Sequence, residues 1–112
     1  ANAGHTFEAY QIFTGKVSGN TLSDIEWGSG VNEDGLKELG SAKENAKKLK
    51  NEIDAKDFAY KVAKYLGTPA GESTPDGKNY KIENLAPGYY LVKDTDRTVP
   101  EAEIYFKSCR YC

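Results

Sequence analysis

The apolar and polar residues of "HTFEAYQIF" (5–13) alternate, which predicts a strand with Phe7, Ala9 and Phe13 on one face and Tyr10 and Ile12 on the other. Both faces carry apolar side chains, so this strand is expected at the centre of a sheet. "TGKVSGN" (14–20) then reads as a turn, with Gly15, Gly19 and Asn20 supplying the permissive backbone. "TLSDIEWGSG" (21–30) brings Leu22, Ile25 and Trp27 ahead of a Gly-Ser-Gly break. Trp27 is expected as a buried anchor, with a ligand-stacking platform as the alternative.

The period then changes from two to three or four. Leu36, Leu39, Ala42, Ala46, Leu49 and Ile53 are separated by lysines and acids, the pattern of an amphipathic helix running from Asp34. A second helix is framed by Asp54 as N-cap, with Asp57 three residues on, and by Gly67 and Pro69 at its end. Its inner stripe is Phe58, Ala59, Val62, Tyr65 and Leu66. Lys43, Lys47, Lys48, Lys50, Lys56, Lys61 and Lys64 read as a solvated face rather than a dock for anionic polymers, because acids are interleaved with them.

Alternation returns near the end. "GESTPDGKN" (71–79) is a polar loop, "YKIENL" (80–85) a short strand, "APG" a corner, "YYLVKD" (89–94) a strand, and "EAEIYF" (101–106) a last strand. Tyr89 and Tyr90 are adjacent on a strand and must face opposite ways. The order of strands, helical insert and strands predicts an α+β domain over residues 1–112, an Ig-like β-sandwich with a two-helix insertion between strands.

Composition narrows the function classes. With 15 basic and 17 acidic residues, the formal net charge of −2 argues against a nucleic-acid binder, which needs a basic surface. No run approaches the roughly 20 apolar residues of a membrane-spanning helix. The single histidine, His5, stands at a strand start without a cysteine or a Gly-x-Ser-x-Gly elbow beside it, so no hydrolase triad can be assembled. No catalytic residue, metal or cofactor is therefore expected. Cys109 and Cys112, the only cysteines, lie in the last four residues. They are compatible with a disulfide within or between chains, while a redox pair and a zinc half-site both lack their usual surroundings. Tyr89 beside Trp27 forms a candidate aromatic binding surface.

Three stretches together resemble the N-terminal domain of sortase-assembled backbone pilins and pilin-like cell-wall surface proteins of Gram-positive bacteria. They are "GHTFEAYQIFTGKVSGNTLSDIEWGSGV" (4–31), "FAYKVAKYLG" (58–67) and "YKIENLAPGYYLVKDTD" (80–96). The resemblance implies a secreted, cell-wall-anchored, non-enzymatic structural module that contributes to fibre assembly and host adhesion. Its implied partners are neighbouring subunits, a sortase, and a host matrix protein or glycan. A discrete adhesin domain, binding carbohydrate or matrix protein through an aromatic surface, is the alternative.

The resemblance also nominates a sortase-linkage lysine, for which Lys107 lies near the right region and Lys93 on the preceding strand, neither of them in the expected motif. It makes Asp94 the counterpart of the acid that supports an intramolecular lysine–asparagine isopeptide. The lysine of that bond belongs to a strand ahead of His5, and "FKSCRYC" (106–112) offers no asparagine, so Asp94 is expected to end its strand and begin a turn. The family's strand ahead of His5 also has no counterpart here, which predicts an open sheet edge that recruits a partner strand. The tail from residue 107 departs from the family pattern.

Overall fold

The computed structural model describes residues 6–19, 21–76, 79–94 and 103–107. They form a mixed α/β domain around an open antiparallel sheet. Its strands are β1 (Phe7–Ser18), β2 (Thr21–Trp27), β3 (Gly71–Glu72), β6 (Gly88–Asp94) and β7 (Glu103–Lys107). They run in the order β2-β1-β6-β7, with β3 also paired to β1, while β4 (Thr74–Asp76) and β5 (Asn79–Lys81) make a separate hairpin.

The first strand is central, as its two apolar faces require, but longer than its alternation suggests. "TGKVS" continues β1 to Ser18, and the turn is confined to its end, where Gly19 adopts φ +62°. Two bulges explain why the simple alternation fails. Gln11 pairs with Tyr90 but Phe13 pairs with Tyr89, so Ile12 is an extra residue on β1. That insertion brings Tyr10, Ile12 and Phe13 into one core cluster, whereas Ala9 packs on the opposite face with Leu85 and Tyr90. Phe13 was expected on the Ala9 face; the bulge moves it. The second bulge lies where β1 meets β2, between Thr14 and Lys16, and Asp24 of β2 adopts φ +52° there. It brings the unevenly spaced Leu22, Ile25 and Trp27 into contact with the same cluster.

The helical insertion lies between β2 and β3. In place of two long helices it has α1 (Glu33–Glu38), α2 (Ala42–Ala46) with a 3₁₀ turn over Lys47–Lys50, and α3 (Glu52–Val62) with a 3₁₀ turn over Ala63–Tyr65. The breaks have local causes. Gly40 takes φ +80°, which ends the first piece. Asn32, Ser41 and Asn51 each cap a helix N-terminus through the side-chain oxygen, so α3 starts at Asn51 rather than Asp54. With the helical run broken into separate pieces, the expected stripe is not wholly internal: Leu36 and Ile53 are 43% and 73% exposed. The Phe58, Ala59 and Val62 stripe is buried as its spacing predicts.

The insertion closes on itself at its base. Asn32 N donates to Tyr65 O at 2.8 Å, Gly67 N to Gly30 O at 2.8 Å and Thr68 N to Ser29 O at 3.1 Å. The same two segments fill the edge of β1 that β6 does not occupy. Gly28 N donates to Ile12 O and Gly30 N to Gln11 O, both at 2.9 Å, and Ala70 N donates to Ala9 O and Ser73 N to Phe7 O, both at 2.8 Å. β1 is thus hydrogen-bonded along both edges, and the gap expected beside it is closed from within the chain. Glycine is needed for that approach: a Cβ on Gly28 would lie 2.3 Å from Gln11 O.

Candidate functional site

Phe13 is the centre around which the aromatic residues gather. Trp27 stacks on it with ring centroids 5.0 Å apart, Phe58 of α3 stacks on it at 5.6 Å, and Tyr89 meets it edge-on at 6.2 Å. The half-buried Trp27 also donates from Nε1 to Gly40 O at 2.9 Å, tying the loop between α1 and α2 to the sheet. Trp27 and Tyr89, the pair expected as an aromatic surface, both lie against Phe13. Trp27 uses its indole N–H and its ring face within the chain, but it is half-buried rather than buried, and the hydrogen bond to Gly40 lies at the surface.

Tyr89 has a different outlook. With Leu22, Ile25, Ala46 and Leu49 it lines an open groove of about 370 Å³ between β2 and the α2 segment, rimmed by Lys43, Lys47 and Lys50. The lysines recur every three or four residues, so a helical backbone sets them on one side together with Ala46 and Leu49. That spacing is visible in the sequence, where the interleaved acids point only to a solvated face. Lys47 makes a salt bridge to Glu44 at 3.3 Å. Among the described residues neither Lys43 nor Lys50 has an ion-pair partner.

The nominated linkage residues lie elsewhere, along β6 and β7. Lys93 is half-buried and faces Glu8 of β1 in register, and Asp94, also half-buried, faces Phe7 at the end of the ladder. The backbone of Lys107 pairs with Gly88 at the opposite end of β6. The only lysine of β1, Lys16, lies nine residues beyond Phe7, roughly 30 Å along the strand from Asp94, and it is bridged to Asp24 at 3.6 Å. Lys16 is thus far from Asp94 along β1, and the strand ahead of His5 to which the resemblance assigns the isopeptide lysine lies outside the described residues. His5, Cys109 and Cys112 lie outside the described residues.

The Pro-Gly corner ahead of β6 is held by two side chains. Gln11 Nε2 donates to Pro87 O at 3.3 Å, and Tyr90 Oη donates to Ala86 O at 2.5 Å. Gly88 adopts φ +151°, and a Cβ there would meet Phe13 O at 2.2 Å. On the other face, the Tyr10 hydroxyl donates to Glu8 Oε1 at 3.0 Å; burial, then that hydrogen bond and the carboxylate charge, push its pKa up to about 12. These groups order the sheet and converge on no reactive centre. Among the described residues no group of histidine, cysteine and carboxylate side chains could hold a metal ion, and no helix is long and apolar enough to cross a membrane. Comparison with protein-family models, with curated proteins and with solved structures returned no match.

Proposed function

We propose that the chain is a structural module of a cell-surface pilus or pilin-like cell-wall protein of a Gram-positive bacterium, exported and joined into a fibre by a sortase. The observation that carries this reading is the route of the chain through its sheet. β1 begins at the Asp94 end of β6, and β7, antiparallel to β6, ends at the Gly88 end. The first and last described strands thus enter and leave at opposite ends of the ladder, roughly 20 Å apart at the rise of an extended strand. Antiparallel ladder bonds run perpendicular to the strands, so tension applied through β1 and β7 loads them together in shear. A domain threaded this way suits a position in a single-file, load-bearing string.

The finer Ig-like assignment is supported by the corner before β6. A tyrosine whose hydroxyl returns to a backbone carbonyl a few residues upstream, as Tyr90 does to Ala86, is a hallmark of Greek-key Ig-like sandwiches. The resemblance over residues 4–96 points the same way.

The decisive experiment is enzymatic. The purified protein is incubated with pilin-class sortases and a Leu-Pro-x-Thr-Gly peptide, and the products are mapped by mass spectrometry. A peptide–lysine adduct, expected at Lys93 or Lys107, supports the shaft role. No adduct at any lysine, together with saturable glycan or matrix-protein binding that Tyr89→Ala abolishes, would establish the adhesin reading instead.

A further inference from the structure

The most exposed large apolar side chain among the described residues is Ile53, at 73%. It stands in the first turn of α3 between Glu52 and Asp54, both exposed, so the surface there reads acid, apolar, acid. Neither carboxylate has an ion-pair partner among the described residues; Lys48 and Lys61 share a neighbouring hollow with Asp54 without closing to ion-pair distance. The groove described above has the opposite character: an apolar floor of Leu22, Ile25, Leu49 and Tyr89 beneath Lys43 and Lys50, neither of which has an ion-pair partner among the described residues. At about 370 Å³ it has room for a branched aliphatic side chain.

Knob and groove are neighbours. Lys50 closes the groove, Asn51 caps α3, and Ile53 follows at once. A protrusion and a complementary groove on adjoining segments suit a two-fold contact, in which each copy supplies the feature that the other receives. We propose that two copies of this chain associate reciprocally, Ile53 of each entering the groove of the other with Glu52 and Asp54 set against Lys43 and Lys50. A pilus shaft needs only end-to-end contacts, so this lateral pairing is independent of the fibre reading and would hold for the isolated chain. The patch is small and its charges are exposed, so the association is weak and salt-sensitive.

Sedimentation equilibrium of the purified chain tests it. At low salt the average mass is expected to climb from 12.3 kDa toward twice that value as concentration enters the millimolar range, and to fall back when salt is added. Ile53→Ser removes an exposed side chain without opening the core and is expected to abolish the climb. A charge-swap pair sharpens the result. Lys43→Glu/Lys50→Glu and Glu52→Lys/Asp54→Lys should each be monomeric alone, yet form a mixed dimer when combined, because both contacts regain opposite charges. Circular dichroism confirms that each variant is folded. A wild-type chain that stays at monomer mass throughout overturns the proposal. So does association that survives Ile53→Ser, since the contact would then lie elsewhere. Folded charge-swap variants that fail to pair on mixing overturn it too.

Discussion

The β1–β6 ribbon and the helical insertion that covers it are built on different principles. In the ribbon, Ala9, Ile12, Phe13 and Leu91 have no solvent exposure, and the edges of β1 are closed by residues far away in sequence, Ser73 and Asp94 both meeting Phe7. In the insertion, each short helix starts at its own Asn or Ser cap, and apolar residues as large as Leu36 and Ile53 remain outside. Order in the first region is imposed by distant contacts, and in the second largely by neighbours in sequence. The ribbon should therefore open only with the whole domain, while parts of the insertion should open alone.

The largest effect is expected where the two regions touch. Phe13 is fully buried and carries rings from β2, α3 and β6. Phe13→Ala should cost about 3–5 kcal/mol, the range for an aromatic deleted from a packed core. Denaturant titration measures the loss, and amide exchange should rise in sheet and insertion together. A loss under about 1 kcal/mol would mean that the layers are not locked through this ring.

Alkaline pH acts on the ribbon through Tyr10. The folded pKa of Tyr10 is raised from 10.0 to about 12, so the native state favours the neutral phenol. Its contribution is complete below the unfolded value and is lost as pH rises through the folded one. Between about pH 10 and 12, wild type should lose up to about 3 kcal/mol more than Tyr10→Phe, at 1.36 kcal/mol per unit. Parallel stability curves for the two proteins across that window would show that Tyr10 does not sense ionisation through folding.

Inside the insertion, Asn45 is the one buried polar side chain among the described residues. Its Nδ2 donates to Leu39 O at 2.6 Å and Ser41 O at 2.8 Å, holding the α1–α2 loop. Asn45→Ala takes this donor from Leu39 O, while Ser41 O keeps the backbone N–H of residue 45; the change should cost about 1–3 kcal/mol. The chemical-shift changes should centre on residues 39–45, and the Trp27 indole N–H should weaken its bond to Gly40.

These contrasts account for what the sequence disclosed. The core strands, the Phe58–Val62 stripe and the opposed Tyr89 and Tyr90 were legible because period and chemistry agree there. The reversal of Phe13 was hidden, because an extra residue at Ile12 leaves no mark on alternation. The insertion's breaks at Gly40 and Asn51 were understated because a continuous apolar period outweighed the cap residues. The closing of β1 depends on Gly28 and Gly30 meeting Gln11 from across a loop, which local pattern does not encode. The groove was missed for another reason: its lysines follow helical spacing, but their apolar floor comes partly from β2 and β6.

The smallest effect discriminates best between the two regions. Asn51 accepts from Ile53 N at 2.9 Å and Asp54 N at 3.3 Å, at the exposed start of α3. Asn51→Ala should cost about 1 kcal/mol, the usual worth of an N-cap. If the insertion is locally organised, that loss will be confined: exchange should quicken over the first turn of α3, while β1 and β6 amides slow or speed only with global stability. The Glu52 and Asp54 carboxylates still favour the helix N-terminus after the change, which limits fraying to that turn. Should the variant instead release the amides of β1 ahead of those of α3, the cap would be supporting the ribbon directly. The two regions would then be one cooperative unit, held by the Phe13–Phe58 stack rather than by separate local and distant forces.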